Sequence, residues 1–522
     1  MSNRKPLDLS LYLVTDSTRE ILGDQNVCHV VEEALKGGVT VVQYRDKHSD
    51  TSVLIETASK LVAITKNYGV PFLINDRLDV ALAVGADGVH IGQDDVSIAA
   101  ARKLLPRDAI VGVTVSSVAE ANAAIEGGAD YLGIGTMFAT PTKKDAKSII
   151  GTKGTQEILS QCETGTSYAC GCVAIGSINA TNVQRVLHQS STGDNALNGV
   201  AVVSAIVAAD DPKKAASDLL QRVKSASTVY YASTAPNKKM LSEKSEILAQ
   251  IPAIIEQHAS SSVLCHNMTN TVVQNFAANV CLATGSSPIM SMNPDEAADL
   301  AKLGGALVIN MGTITASSLE GYQAGLRAYN FAGNPVLFDP VGGGATSTRR
   351  ETIRTLLTWG FFDIIKGNEG EIGAVAGTSN VQQRGVDSGP STSTPEQKAA
   401  LARALAHQQR CIVLMTGATD YLSDGTRTVA ISNGSPLLGK MTGTGCALGA
   451  VLASYMALYR EDKLIAALAG ILHYELAAEL AESNSGCKGP GTFSPCFLDE
   501  LYLLGKNIKA HDISRLAKIE LV

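Results

Sequence analysis

Residues 39–47 read Val-Thr-Val-Val-Gln-Tyr-Arg-Asp-Lys, an apolar run that ends in alternating polar and cationic side chains. Two later runs follow the same plan, because residues 70–74 lead into Asn75-Asp76 and residues 88–91 lead into Gly92-Gln93-Asp94-Asp95. Near-continuous apolar runs are typical of parallel strands that are buried on both faces. The stretch from 39 to 95 therefore predicts neighbouring parallel strands whose polar residues collect at the carboxyl ends.

Further runs continue this pattern through the first half of the chain. The strand-like runs are residues 11–15, 39–44, 70–74, 88–91, 110–115, 131–134, 172–175 and 200–203. Ala-rich helical patterns such as residues 52–68 and 118–126 lie between most of them. Strands that alternate with helices predict a parallel sheet, and eight is the number that closes a (β/α)8 TIM barrel. An open doubly wound sheet is the alternative.

The composition limits the classes of partner that the chain can bind. Its 522 residues suffice for two domains, and 45% hydrophobic against 18% charged residues predicts that both are folded. Lys and Arg total 43 against 50 Asp and Glu, and the resulting charge of −7 argues against nucleic-acid or membrane-surface binding. The ten Cys show no Cys-x-x-Cys spacing, and the sequence contains neither a signal-peptide core nor an apolar run of ~18 residues. We therefore expect a cytoplasmic protein that acts on small molecules.

The charged residues at the predicted strand ends suggest a site for a diphosphate. Gln43, Arg45 and Lys47 alternate, so an extended chain points all three to one side. Asp76 and Asp95 follow neighbouring strands, which lie about 5 Å apart, so their carboxylates can share a hard cation such as Mg²⁺. Each residue alone is equally well explained as a solvated loop charge, but their convergence at one barrel mouth favours a site.

Two further elements fit a second anion at the same mouth. A loop with Thr140, Thr142 and Lys143 follows the sixth run, whereas Gly176-Ser177 and Val203-Ser204 follow the seventh and eighth. Phosphate sites in barrels commonly use the loops after strands seven and eight. The pattern predicts one diphosphate and one monophosphate.

These segments resemble thiamine-phosphate synthase in their order and approximate spacing, over roughly residues 8–225. The resemblance implies a barrel that joins hydroxymethylpyrimidine diphosphate to thiazole phosphate and releases pyrophosphate. It implies pyrimidine diphosphate contacts from Gln43, Arg45, Lys47, Asn75, Thr114 and Lys143. It implies thiazole phosphate contacts from Thr140, Thr142, Gly176, Val203 and Ser204. Asp76 and Asp95 would hold Mg²⁺.

A change of composition divides the chain. Residues 225–239 are small and polar and include Pro236, which is typical of a connection between domains. We place the domains at residues 1–228 and 241–522, with a linker at 229–240. Apolar runs at 306–309, 335–338, 362–365 and 411–415 then alternate with helical patterns. They predict an open, mostly parallel sheet with helices on both faces.

The second half contains its own candidate phosphate site. Thr442-Gly443-Thr444-Gly445-Cys446 precedes an Ala- and Leu-rich helix, so backbone N–H groups and the helix N-terminus can converge on an anion. Neither common nucleotide-binding fingerprint matches, and an ordinary helix-capping turn is the alternative. The groups that follow the other predicted strands are Asp339, Lys366, Asn368, Glu371 and Thr416. Carboxylates and amides there can orient hydrated Mg²⁺ against phosphate, which favours phosphoryl transfer.

These segments resemble hydroxyethylthiazole kinase, a relative of the ribokinase-like sugar kinases, over roughly residues 240–515. The resemblance implies a ribokinase-like αβα domain that uses ATP. It assigns Met290 and Gly443 to the thiazole, Lys366 and Thr416 to ATP, Cys446 as the candidate base, and Asn368, Glu371 and Asp339 to Mg²⁺. It also implies a homo-oligomer built on kinase-domain trimers, such as a trimer or hexamer.

The two halves fit consecutive steps of thiamine biosynthesis. The kinase would phosphorylate 4-methyl-5-(2-hydroxyethyl)thiazole with ATP, and the synthase would condense the product with the pyrimidine diphosphate to give thiamine phosphate. A sugar-phosphate barrel fused to a sugar kinase is one alternative, and a non-enzymatic sensor of thiamine-pathway ligands is another. The paired Asp76 and Asp95 disfavour the first, and the nearly complete polar sets disfavour the second.

Overall fold

The computed structural model describes residues 7–138, 149–161, 170–192, 195–233, 241–378 and 392–522. The chain divides into two compact units, Met1–Thr228 and Val229–Val522. Each unit contains its own buried hydrophobic clusters. The two units are therefore described separately.

Within the described part of the first unit, eight parallel strands close into a barrel in which each strand pairs with the next along the chain. The strands are β1 (Leu11–Val14), β2 (Val41–Tyr44), β3 (Phe72–Asn75), β4 (Gly88–Ile91), β5 (Ile110–Val115), β6 (Tyr131–Ile134), β7 (Gly171–Ile175) and β8 (Gly199–Val202). The barrel closes between β1 and β8, where Leu11 lies opposite Val200 and Leu13 opposite Val202. The predicted barrel is confirmed, and the open doubly wound alternative is wrong.

Helices cover the outside of the barrel. They are α1 (Arg19–Leu22), α2 (Val27–Lys36), α3 (Thr51–Tyr68), α4 (Leu78–Val84), α5 (Ile98–Leu104), α6 (Val118–Glu126), α7 (Gly151–Gln161), α8 (Val183–Ser190), α9 (Ser204–Val207) and α10 (Pro212–Ser233). Side-chain caps help to start several of them: Asn26 accepts from the N–H of Cys28 and Ser117 from the N–H of Glu120. Helix α10 extends to Ser233, so the predicted linker 229–240 begins inside a helix, and residues 234–240 lie outside the described ranges.

The second unit is built on one mixed sheet. Its strands are β9 (Leu264–Met268), β10 (Ser287–Ile289), β11 (Ala306–Asn310), β12 (Val336–Asp339), β13 (Ile364–Asn368), β14 (Ile412–Thr416), β15 (Asp420–Ser423), β16 (Thr428–Ile431) and β17 (Ile519–Leu521). Among the described residues they have the order β10-β9-β11-β12-β13-β14-β15-β16-β17. Pairing is parallel from β10 to β14 and antiparallel from β14 to β17. The mostly parallel sheet is confirmed, with an antiparallel edge that the sequence did not reveal.

Helices pack on both faces of this sheet and complete an αβα sandwich. They are α11 (Lys244–His258), α12 (Gln274–Thr284), α13 (Ala297–Lys302), α14 (Ala316–Ala332), α15 (Ser347–Trp359), α16 (Glu369–Ala376), α17 (Pro395–Gln409), α18 (Thr444–Leu458), α19 (Lys463–Ser483), α20 (Pro490–Asn507) and α21 (Ile513–Leu516). One core joins the sheet to α11, α12 and α18–α20, and a second joins it to α13–α17. The carboxyl ends of β11–β14 therefore lie at one edge, where α18 begins.

Helix α19 has the length and apolar character of a membrane span, and it is the one helix in the described ranges that does. However, 89% of its most apolar window is buried inside the structure. Its apolar side chains belong to the same core as those of α18. Apolar character on all sides of a helix is expected when the helix lies at the centre of a domain.

Candidate active sites

A cleft with an empty volume of about 1100 Å³ opens at the carboxyl ends of the barrel strands. Every described residue to which the resemblance assigned a synthase role lines it. They are Gln43, Arg45, Lys47, Asn75, Asp76, Asp95, Thr114, Gly176, Val203 and Ser204. The other three, Thr140, Thr142 and Lys143, lie outside the described residues. The structure therefore brings together side chains that are up to 161 positions apart, from Gln43 to Ser204.

The carboxyl groups of Asp76 and Asp95 lie close together in this cleft. Burial, a hydrogen bond with Asp95 and the negative charge of Asp95 raise the pKa of Asp76 to about 6. Asp76 has a left-handed backbone with φ of 60°, which is uncommon for a residue other than glycine. Lys47 Nζ lies 3.4 Å from Asp76 Oδ2 and partly offsets the negative charge. Two carboxyl groups that repel each other fit a divalent cation such as Mg²⁺, because the cation relieves the repulsion.

Arg45 is held in the cleft by the end of the first strand. Its guanidinium Nη1 donates to Asp16 Oδ2 at 3.1 Å, and Asp16 is almost fully buried. Its backbone N–H donates to Thr15 Oγ1 at 2.9 Å, so side chain and backbone are both restrained. Fixing an arginine beforehand lowers the entropy cost of binding an anion. Asp16 is thus a positioning residue that the sequence reasoning missed, although its place directly after β1 was a usable signal.

The opposite wall of the cleft is formed by the turns after β7 and β8. Gly176 has φ of 117°, and a Cβ there would lie 2.6 Å from Thr136 Cγ2, so the turn requires glycine. Ser177 follows with φ of 52°, while Val203 and Ser204 begin α9. These residues bring backbone rather than charged side chains to the cleft, and backbone N–H groups at such turns can bind phosphate.

At the second candidate site, α18 begins directly above a buried ion pair. Gly443 precedes the helix in a left-handed conformation with φ of 88°. Lys366 Nζ donates to Asp339 Oδ2 at 3.0 Å and to the carbonyl oxygen of Gly445 at 2.7 Å. Lys366 and Asp339 are only 5% and 1% exposed, so water screens the pair little. A fixed ammonium group and a helix N-terminus together form a positive environment that suits phosphate.

Cys446 lies in the first turn of α18 and belongs to a row of buried amides. Asn270 Nδ2 lies 3.5 Å from Cys446 Sγ and 2.9 Å from Asn310 Oδ1. Asn310 in turn donates to Asp339 Oδ2 at 2.9 Å. Burial and the negative charge of Asp339 raise the pKa of the Cys446 thiol to about 11, even though Lys366 and the amides act in the opposite direction. The helix terminus therefore does not produce the low thiol pKa that would favour Cys446 as a free base.

Asn368 and Glu371 form a capping box at the start of α16. Asn368 Oδ1 accepts from the N–H of Glu371 at 3.0 Å, and Glu371 Oε2 accepts from the N–H of Asn368 at 2.9 Å. Glu371 Oε1 accepts from the N–H of Gly342 at 2.8 Å, which ties the loop after β12 to this helix. Burial and the nearby Asp339 raise the pKa of Glu371 to about 7. Both residues thus have a structural task, which the Asn-x-x-Glu spacing before an apolar run could have revealed.

The remaining predicted residues lie along the same edge of the sheet. Thr416 ends β14 beside Asn368, and the following Gly417 N–H donates to Asp420 Oδ1 at 2.7 Å. Met290 follows the edge strand β10, three strands away from Asp339 in the sheet order. The structure therefore brings Asp339, Lys366 and Cys446 into one network, and places Met290 toward the far end of the edge.

Family models match both units. The model described as thiamine monophosphate synthase matches residues 11–206, and the model described as hydroxyethylthiazole kinase family matches residues 255–507. The first match spans the barrel strands, and the second spans the sheet from β9 to β16.

Full-length relatives have the same two parts in one chain. A probable thiamine biosynthetic bifunctional enzyme from Schizosaccharomyces pombe is 42% identical over 99% of this chain and 99% of the relative. A thiamine biosynthetic bifunctional enzyme from Saccharomyces cerevisiae is 38% identical over 96% of each chain. A solved hydroxyethylthiazole kinase from Pyrococcus horikoshii is 33% identical, with a TM-score of 0.46, over 53% of this chain and 99% of that one.

Proposed function

The chain belongs to the family of thiamine biosynthetic bifunctional enzymes, with a thiamine-phosphate synthase domain followed by a hydroxyethylthiazole kinase domain that uses ATP. We propose which residues carry out each of the two reactions. The barrel cleft is the condensation site. The start of α18, with the buried pair Lys366–Asp339, is the phosphorylation site. The product of the second domain is the substrate of the first.

In the barrel, the pyrimidine diphosphate lies along Gln43, Arg45 and Lys47. Asn75, Thr114 and Lys143 complete its contacts, while Thr140, Thr142, Gly176, Val203 and Ser204 bind the thiazole phosphate. The clamp of Asp16 on Arg45, with Nη1 3.1 Å from Oδ2, supports a fixed cation on the diphosphate side. The uncharged turns after β7 and β8 support a monophosphate on the other side.

The condensation depends on stabilising a leaving group rather than on a protein nucleophile. Negative charge grows on pyrophosphate as its bond to the pyrimidine methylene carbon breaks, and the fixed cations Arg45 and Lys47 stabilise that charge. Asp76 and Asp95 would hold Mg²⁺, which supplies further charge neutralisation on the diphosphate when bound. The electron-rich aminopyrimidine spreads the positive charge left on carbon until the thiazole nitrogen attacks.

In the kinase domain, the N-terminus of α18 and Lys366 stabilise the phosphoryl group during transfer. Gly443 allows the substrates to approach the backbone, Lys366 and Thr416 contact ATP, and Met290 contacts the thiazole. Asp339 Oδ1 is buried and has no hydrogen-bond partner among the described residues, so it suits a cation. Asp339, with support from Asn368 and Glu371, would hold Mg²⁺, which screens phosphate charge when bound.

The observation that carries the synthase assignment is the close approach of Asp76 and Asp95 beside Lys47 at the mouth of the cleft. A coupled assay tests the whole proposal with ATP, Mg²⁺, hydroxyethylthiazole and pyrimidine diphosphate. We expect ADP, pyrophosphate and thiamine phosphate, and we expect the last two without ATP when thiazole phosphate is supplied. Absence of thiamine phosphate under both conditions would contradict the proposal.

Cys446 is proposed to orient the thiazole alcohol rather than to act as a thiolate. With a pKa of about 11 the thiol remains protonated near neutral pH. We therefore expect Cys446→Ala to slow single-turnover phosphorylation by roughly tenfold, less than the loss of a strong general base would cause. The rate between pH 6 and 9 should keep its wild-type shape.

Cys446→Ser is the matched control, since a hydroxyl restores a polar group of similar size. We expect it to recover most of the rate lost in Cys446→Ala. An unchanged single-turnover rate in Cys446→Ala would remove Cys446 from the reaction. A pH profile that flattens in this variant would instead show that the thiolate is the base.

The domain limits, assembly and location remain part of the proposal. We place the synthase domain at 1–228 and the kinase domain at 241–522, and we propose a cytoplasmic homo-oligomer built on kinase-domain trimers. Light scattering after size-exclusion chromatography tests the assembly, because a trimer or hexamer gives three or six times the chain mass of 54.4 kDa. A monomeric mass would contradict it.

A further inference from the structure

A row of hydrogen bonds crosses the interior of the barrel along the cleft, and all of its members except Tyr131 line the cleft. Gln43 Nε2 donates to Tyr12 Oη at 2.6 Å, and Tyr12 Oη lies 2.7 Å from Tyr131 Oη. Tyr131 Oη lies 2.8 Å from His90 Nδ1, and His90 Nε2 lies 2.8 Å from Thr114 Oγ1. The row begins and ends at residues that line the cleft, so it links two walls that belong to different strands.

Two glycines make room for the aromatic rings of this row. A Cβ at Gly112 would lie within 2.3 Å of the ring of Tyr131, and a Cβ at Gly133 would lie 3.0 Å from His90 Cε1. Burial raises the pKa values of Tyr12 and Tyr131, so both phenols stay neutral at any pH at which the enzyme is assayed. The two tyrosines of the row therefore take part in hydrogen bonds and carry no charge.

Gln43 Nε2 donates to Tyr12 Oη, and we infer that the other bonds of the row continue in the same direction. In this direction Tyr12 gives its own hydrogen to Tyr131 Oη, and Tyr131 donates to His90 Nδ1. A neutral imidazole that accepts at Nδ1 carries its hydrogen on Nε2 and donates to Thr114 Oγ1. One end therefore presents the carbonyl oxygen of Gln43 as an acceptor, and the other leaves the hydroxyl hydrogen of Thr114 as a donor.

We propose that the row Gln43–Tyr12–Tyr131–His90–Thr114 fixes this hydrogen-bond polarity and so selects a 4-aminopyrimidine over a 4-oxopyrimidine. The inference rests on the proposed assignment of Gln43 and Thr114 to the pyrimidine. An aminopyrimidine offers an N–H donor and a ring-nitrogen acceptor, which match the two ends. An oxopyrimidine reverses both groups, so it meets an unpaired acceptor and an unpaired donor, and such mismatches discriminate strongly. Tyr12, Tyr131 and His90 are positioning residues in this scheme.

Tyr131→Phe tests the proposal because it keeps the ring beside Gly112 and removes only the hydroxyl. Without that hydroxyl, His90 can adopt either tautomer and Tyr12 can donate back toward Gln43, so both ends lose their fixed direction. The measurement is the ratio of the Kd of the 4-oxo diphosphate to the Kd of the 4-amino diphosphate, both determined by equilibrium binding without thiazole phosphate. We expect the ratio to fall roughly tenfold or more, which is the effect of about one hydrogen bond. Binding constants keep this readout separate from the chemical step.

Tyr12→Phe cuts the row at another link and should lower the same ratio. Tyr44→Phe is the matched control, since Tyr44 is equally buried on β2 but lies outside the row; its ratio should not change. Kinase activity of the full chain reports that each variant is folded. An unchanged ratio in both row variants overturns the inference alone, whereas a wild-type chain that forms no thiamine phosphate overturns the proposed function.

Discussion

Asp76→Ala is expected to abolish thiamine phosphate formation while ATP-dependent phosphorylation of hydroxyethylthiazole continues at the wild-type rate. The substitution removes one of two carboxylates that face the proposed cation and leaves Lys47 without the partner that lies 3.4 Å away. Cation binding and the orientation of the diphosphate should fail together. We expect kcat/KM for condensation to fall by about 10³-fold or more, equivalent to roughly 4 kcal/mol of transition-state stabilisation.

Two further variants separate the charge of Asp76 from its backbone. Asp76 has φ of 60°, which asparagine tolerates better than alanine, so Asp76→Asn should keep the turn and still lose condensation. Asp79→Ala is the matched control. Asp79 lies three positions after Asp76 and forms an exposed ion pair with Arg77, so its loss should leave both activities unchanged. Residual condensation above one tenth of wild type in Asp76→Asn would contradict the cation site.

The barrel could be predicted from the sequence because its strands carry two signals. An apolar run indicates the strand, and the polar residues at its carboxyl end, such as Gln43, Asn75 and Asp95, indicate the side of the barrel where the cleft opens. Barrel closure then brings these residues together without further information. The antiparallel edge of the second sheet lacks this signal, since β15–β17 are short strands without helices between β15 and β16.

Side-chain contacts between strands were the part that the sequence could not reveal. Tyr131 reaches the barrel interior only because Gly112 on the neighbouring strand leaves space for its ring, and neither residue indicates this alone. Asp339 meets Lys366 and Asn310 because β12 lies between β13 and β11 in the sheet. Such pairings depend on strand order and side-chain direction, which a linear pattern does not contain.

The two lysine–aspartate pairs show how burial separates the electrostatics of the two sites. Lys47 is 46% exposed beside Asp76, so a ligand or cation can exchange with it at little cost. Lys366 and Asp339 are buried, and removal of either partner would leave a charge without compensation. We therefore expect the proposed synthase site to rearrange around its diphosphate, whereas the Lys366 ammonium group in the proposed kinase site is fixed before ATP binds.

Gly443→Asp is expected to abolish phosphorylation of hydroxyethylthiazole and to leave condensation of supplied thiazole phosphate intact. Gly443 has φ of 88°, and a Cβ there would lie 2.7 Å from Val273 Cγ2, so any side chain strains the turn. A carboxylate would in addition occupy the anion position at the start of α18 and repel the phosphate groups. We expect kcat/KM for the kinase reaction to fall by about 10³-fold, in line with the loss of a preorganised anion site.

The size and charge of the new side chain can be distinguished. Gly443→Ala introduces the same Cβ without the carboxylate and should lose less activity than Gly443→Asp. Gly439→Asp is the control for charge, because Gly439 is exposed, has no atom within 4 Å of an added Cβ, and lies four positions earlier. Equal losses in Gly443→Ala and Gly443→Asp would show that packing against Val273 matters and the anion position does not. A kinase that remains active in Gly443→Asp would place the phosphate elsewhere, and the ion pair of Lys366 and Asp339 would then need another role.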